Sequence, residues 1–223
     1  MFNLFTKFLK YIYENFLDLI YNKKCLICGC SKQDELLCKT CAKDIEYLST
    51  YPHKIYENIP VYSVCLYKDT IKALIHKLKF NHRKSVSKVL AKMLFEYFKK
   101  IKDDSLEYII TFPPSFFLKS AQRGYNHMFL IAKEFSKLAN IEINKNLIKK
   151  IKYTKPQYKV KARRKNIKDS FKINIGDFNL KNKTILILDD IITSGATLEE
   201  IINCFKKVNI DNIICLTVSK SVK

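Results

Sequence analysis

The sequence predicts an α/β protein: a parallel sheet flanked by helices, with a small four-cysteine module in front of it. Three observations carry that prediction. From residue 59 onward, strand-like apolar runs alternate with amphipathic helical ones, the order that builds a parallel, doubly wound sheet. The stretch Thr184 to Glu200 reads as a buried strand, two acids, a hydroxyl-rich turn with a glycine, and a helix. Ahead of residue 51, cysteines fall in two Cys-x-x-Cys pairs.

Length and composition bound the problem. A chain of 223 residues, 48% hydrophobic and 28% charged, has room for one sizeable core plus a small appendage and is not disordered. Lys and Arg total 41 against 21 Asp and Glu, a net charge of +20 that should attract polyanions. The chain is also rich in Lys, Ile, Asn and Tyr, with four Gly and no Trp, so compositional bias competes as an explanation of that charge. Eight cysteines without a secretion signal imply metal binding or buried thiols in a reducing compartment, and a cytoplasmic location is expected. No run reaches the roughly 18 apolar residues needed to span a bilayer.

Taken in order, residues 2 to 21 have helical periodicity broken by charge. This segment packs on its own protein or docks on a membrane surface or partner. Cys25 and Cys28, then nine residues, then Cys38 and Cys41, can close four thiolates tetrahedrally around one Zn²⁺, a structural site because no ligand position stays open. Redox pairs and disulfides are the alternatives; Cys30 is a spectator or substitute ligand, and Cys65, Cys204 and Cys215 look like core thiols. The polar stretch 51 to 58 marks a division into 1–56 and 57–223. Strand 59–67, a basic helix 71–80, helix 85–100 and strand 107–112 follow. His76 and His82 have no partner at metal or triad spacing. Pro113 and Pro114 stiffen the loop past the last of these strands, at the sheet edge where ligands of open α/β folds collect. Lys119 and Arg123 lie in the cationic loop beyond, where they can face a pyrophosphate, before helix 128–138.

Residues 145 to 168 hold eleven Lys and Arg and no acid, interleaved with Tyr153 and Tyr158. Lys149, Lys150, Lys152, Lys161, Arg163 and Arg164 with those tyrosines combine backbone-tracking cations and stacking rings, the ingredients of single-stranded DNA binding; a solvated charged loop is the alternative. Strand 183–189, helix 198–208 and strand 212–218 complete the chain.

In the Thr184 to Glu200 stretch, Thr193 to Thr197 fall at a helix amino terminus, where free N–H groups and the helix dipole favour a phosphate. Asp189 and Asp190 suit sugar hydroxyls, or a metal bridging to a second phosphate. The ligand so described is a phosphorylated sugar.

Residues Ile185 to Thr197 resemble the phosphoribosyl pyrophosphate (PRPP) signature of type I phosphoribosyltransferases. The resemblance implies that Asp189 and Asp190 hold the ribose 2′- and 3′-hydroxyls and that Thr193, Ser194, Gly195, Ala196 and Thr197 wrap the 5′-phosphate, with Mg²⁺ as cofactor. The cysteine pairs, Ala73 to Phe80, Pro113-Pro114 with Arg123 to Asn126, Thr154 to Gln157 through Asn166 and Phe171, and the PRPP loop together resemble the ComF (GntX-like) family. That resemblance implies a type I phosphoribosyltransferase-like sheet and a role in DNA uptake during natural transformation, beside partner proteins at the inner membrane. If the chain is an enzyme, Asp189 and Asp190 would be its catalytic residues in a displacement at the anomeric carbon, on an acceptor that no residue identifies. The other readings are a DNA-handling protein that binds PRPP without turnover and, third, an enzyme of plain nucleotide salvage.

Overall fold

The computed structural model describes residues 24–31, 35–114, 124–152, 167–176 and 180–222. Within them, the cysteine segment contributes a short helix α1 (Lys39–Lys43), capped by the Cys38 sulfur. An antiparallel hairpin follows, β1 (Lys54–Tyr56) and β2 (Ile59–Leu66), then helices α2 (Asp69–Phe80) and α3 (Val86–Ile101), strand β3 (Glu107–Thr111) and helix α4 (His127–Ala139). A two-stranded ribbon, β4 (Ile148–Lys150) and β5 (Phe171–Ile173), precedes the long strand β6 (Lys183–Ile192), helix α5 (Ala196–Lys206) and strand β7 (Ile213–Lys220).

The main sheet runs β1-β2-β7-β6-β3, parallel throughout except for β1 at the edge. A parallel strand buried on both faces must be apolar at every position, which explains the unbroken Ile185-Leu186-Ile187-Leu188. The pleat then sorts these side chains with period two. Leu186 and Leu188 join the larger core with Leu78, Leu90, Phe98, Ile131 and Phe135, under α2, α3 and α4. Ile185 and Ile187 join a second core on the opposite face, under α5 and the β4–β5 ribbon.

The predicted elements from residue 59 to 138 recur within two residues at each end. β6 extends to Ile192, so Asp189 and Asp190 sit inside its last turns of pleat instead of past its end, and α5 starts at Ala196, two residues before the helix expected from periodicity. The strands β1, β4 and β5 are too short, at three residues each, to produce a readable alternation. Cys25, Leu37, Cys41 and Ile45 pack into the larger core, so in packing terms the cysteine segment and the sheet share one interior. The helix expected over 2–21 lies outside the described residues.

Candidate functional site

Two features stand apart as chemistry. The first is the thiol cluster. Cys25, Cys28, Cys38 and Cys41 bring their sulfurs within 4.8 Å of one another, and Cys28 and Cys38 Sγ are 3.7 Å apart. Four thiolates at about 2.3 Å from a shared Zn²⁺ would lie roughly 3.8 Å from each other, so the donor set fits a tetrahedral ion. Backbone amides add to the fit: the N–H groups of Ile27 and Cys38 each donate to Cys25 Sγ at 3.4 Å. Burial opposes ionisation of Cys25, yet these amide donors outweigh it and bring the thiol down to about 6. Cys41 moves the other way, to about 12, first through burial and then through its hydrogen-bonded thiol neighbours. Cys30 is exposed and rises to about 12, chiefly because it donates to Cys28 and Cys38. The cluster can therefore hold a metal ion. Cys65 and Cys215 are buried in the cores, as is Cys204.

The second feature is the carboxyl end of β6. The alternation that sends Ile187 and Leu188 to opposite faces does the same to Asp189 and Asp190. Asp190 turns toward the face of α2 and α4. There its Oδ2 forms an ion pair with Lys79, near the end of α2, and accepts from His127 Nε2 at 2.8 Å. A carboxylate is acceptor-only, so Nε2 carries the hydrogen. His127 is aimed by the cap of its helix: Asn126 Oδ1 accepts from the amides of Met128 (3.0 Å) and Phe129 (3.3 Å), fixing His127 as the first residue of α4. Burial opposes the charge on Asp190, but Lys79 first and His127 second overcome it and hold the carboxyl well below the usual range. Ser219 Oγ donates to the Asp190 carbonyl at 3.2 Å, tying β7 to the same point.

Asp189 is half-buried on the α5 face, with its Oδ1 accepting from the Asp190 amide at 2.9 Å. Past it, Thr193 is exposed, Ser194 and Thr197 are half-buried, and Gly195 and Ala196 are buried. Gly195 adopts φ +78° at the N-cap of α5, a left-handed conformation natural to glycine. A Cβ there would overlap the Tyr56 hydroxyl as well. The turn thus places the first helical turn's backbone amides beside a glycine with no side chain of its own, covered by Tyr56 and Lys54, an arrangement that suits an anion.

Of the other expected site residues, Lys149 and Lys152 are exposed on or beside the ribbon, and Lys150 is half-buried with its ammonium 5.6 Å from the Phe171 ring centroid. Lys119, Arg123, Tyr153, Tyr158, Lys161, Arg163 and Arg164 lie outside the described residues. Sequence reasoning missed Lys79 and His127 as partners of the acid pair. The signal was available in part: adjacent strand residues face opposite ways, so one acid had to meet the helices of the far face. His76 and His82 pack on aromatic rings instead, His76 4.8 Å from Phe80 and His82 5.9 Å from Tyr125.

Comparison with known proteins agrees with this geometry. The family described as phosphoribosyl transferase domain matches residues 128–221, which span α4 through β7 and include the acid pair and the glycine loop. Among solved structures, a hypoxanthine phosphoribosyltransferase from Staphylococcus aureus is 15% identical, covering 62% of this chain and 74% of that one at a TM-score of 0.37. That of Trypanosoma cruzi is 12% identical, covering 61% and 64% at 0.35. The family match thus places a phosphoribosyl transferase domain over residues 128–221.

Full-length similarity narrows this. Competence protein F of Haemophilus influenzae is 24% identical over 205 residues, 86% of this chain and 88% of its own length. The DNA utilization protein YhgH of Escherichia coli K12 is 22% identical over 187 residues, 79% and 81% respectively. Over most of its length the chain is thus similar to competence and DNA utilization proteins, with a phosphoribosyl transferase domain match behind a four-cysteine segment. Among the described residues no helix is long and apolar enough to cross a membrane.

Proposed function

We propose that this protein binds PRPP with Mg²⁺ at the carboxyl end of β6 and takes part in DNA uptake during natural transformation by contacting single-stranded DNA. The observation that carries the ligand is the Gly195 loop, left-handed at the start of α5 and following two carboxylates. The loop from Thr193 to Thr197 takes the 5′-phosphate. Asp189 and Asp190 take the ribose: Asp189 from its half-open position, and Asp190 through Oδ1, since Lys79 and His127 both hold Oδ2. Lys119 and Arg123, outside the described residues, would neutralise the pyrophosphate, whose charge Mg²⁺ would help to offset.

The DNA reading rests on the similarity to competence and DNA utilization proteins and on the ribbon. There Lys149 and Lys172 are exposed and directly opposite each other across β4 and β5. Like charges so paired repel, and a polyanion relieves that repulsion. Lys150, Lys152 and the Tyr153 to Arg164 segment extend the same basic tract. Zn²⁺ in the thiol cluster serves a structural purpose within residues 1–56, whose last strand, β1, joins the sheet of residues 57–223. Phosphoribosyl transfer to an acceptor, with Asp189 and Asp190 catalytic, is the second reading, favoured by the family match over 128–221.

Calorimetric titration with PRPP and Mg²⁺ tests the first statement, with Asp189→Asn as the weakened variant; absence of heat with the wild-type chain overturns it. A DNA titration across salt with Lys149, Lys150 and Lys152 changed to Gln tests the second. About 0.7 of the salt slope is lost per phosphate contact removed on a single strand, and an unchanged slope rules the tract out.

A further inference from the structure

β1 has a design that the acid pair and glycine loop do not account for. It is a three-residue strand, antiparallel at the edge of an otherwise parallel sheet, and its register sets Lys54 against Val61 and Tyr56 against Ile59. With period two, Lys54 and Tyr56 share a face while Ile55 turns outward and is exposed. That shared face lies on the Ser194–Gly195 turn, about 140 residues away in the chain. The Tyr56 hydroxyl and the Lys54 ammonium each donate to the Ser194 carbonyl at 3.5 Å. Tyr56 is buried, and its hydroxyl occupies the space that a side chain at Gly195 would need. Lys54 Nζ sits 4.2 Å from the Tyr56 ring centroid, held over its face, and 3.4 Å from that same Cβ position.

We infer that Lys54 and Tyr56 belong to the sugar-phosphate site: Lys54 supplies the cation that neutralises the phosphate monoester on the loop, and Tyr56 is a positioning residue that holds the Ser194–Gly195 turn in its cradle shape. This rests on the reading of that loop as the 5′-phosphate cradle. A phosphate monoester carries close to two negative charges at neutral pH, more than a helix amino terminus balances alone. The acids on the same rim repel it, so a nearby ammonium is what electrostatics requires. Lys54 is the described cation with its ammonium against the Ser194 carbonyl, held there over the Tyr56 ring. On binding, its ammonium exchanges a neutral carbonyl for a charged phosphate oxygen, the stronger of the two hydrogen bonds.

The experiment is calorimetric titration of the full chain with three probes: PRPP plus Mg²⁺, ribose 5-phosphate, and inorganic pyrophosphate. For Lys54→Met we expect binding of PRPP and of ribose 5-phosphate to weaken about tenfold, the loss of one charge-assisted hydrogen bond, with pyrophosphate binding unchanged. Lys54→Arg should restore most of it. Tyr56→Phe keeps the ring beneath Lys54 and should weaken ribose 5-phosphate several-fold, with a thermal melt close to wild type. If wild type binds ribose 5-phosphate and Lys54→Met binds it equally well, or if pyrophosphate weakens in parallel, the assignment of Lys54 is overturned while the cradle stands. If wild type binds neither PRPP nor ribose 5-phosphate, the cradle reading falls and this assignment with it.

Discussion

The thiol cluster and the carboxyl end of β6 are both built from small polar clusters, yet they are assembled in opposite ways. The four cysteines come from one segment of 17 residues, Cys25 to Cys41, and two tight turns suffice to converge them. The β6 end draws Lys79 from α2, His127 from α4 and Tyr56 from β1, each more than 60 positions from the acid or loop it meets. Local spacing therefore decides the first site. In the second, the strand pleat decides, because it gives two adjacent carboxylates different neighbours and different work.

The largest effect should come from breaking the local site. Cys28→Ser or Cys38→Ser should purify without the Zn²⁺ proposed for the wild-type cluster, measured by elemental analysis of both chains. Because Cys25, Leu37, Cys41 and Ile45 share the main core, unfolding free energy should fall on the order of 5 kcal/mol in urea melts. A variant that keeps its metal and its melt would erase the contrast with the assembled site.

Next in size is the assembled ion pair. Lys79→Met leaves Asp190 buried without its cation and should cost about 3–5 kcal/mol, whereas Asp189→Asn, half-exposed on the other face, should cost less than about 1 kcal/mol. Equal losses would contradict the division between faces. The acid limb sharpens this further. Asp190 has a depressed carboxyl, so its stabilisation is present above the unfolded value near 3.9 and is lost as pH falls below it through the folded value. Acid melts of Asp190→Asn should be flatter than wild type in that window.

A smaller effect is expected at Gly195→Ala. The left-handed φ costs about 1–2 kcal/mol for any Cβ-bearing residue, and overlap with Tyr56 adds to it. Thermal melts of Gly195→Ala alone and combined with Tyr56→Ala separate the two causes, since the second change removes the overlap and leaves the φ penalty.

The smallest concerns His53, just before β1. Burial first, then Lys220 and Lys54, lower it to about 4, and both ring nitrogens are buried without a hydrogen-bond partner among the described residues. The unfolded chain takes up this proton first, so stability should decline as pH drops from about 6.5 toward 4. A flatter melting profile over that interval in His53→Gln would assign the decline to this residue; an unaltered one would exclude it.

Much of the architecture was legible because it depends on periodicity. The run Ile185 to Leu188 announced a doubly buried strand, and α2, α3 and α4 announced themselves by amphipathic spacing; the three-residue strands β1, β4 and β5 had too few positions to do so. Cysteine spacing and the Asp-Asp-x-x-Thr-Ser-Gly-Ala-Thr turn carried their own chemistry. By itself, then, the sequence determined the parallel sheet, the thiol set and the glycine loop at a helix start, because each follows from short-range spacing and steric rules. Only the tertiary structure decided that Asp190 is held by Lys79 and His127 while Asp189 stays beside the loop, and that Tyr56 and Lys54 close over Gly195. Those partners are chosen by which helix covers which face of the sheet and which strand takes its edge, relations that no local pattern encodes.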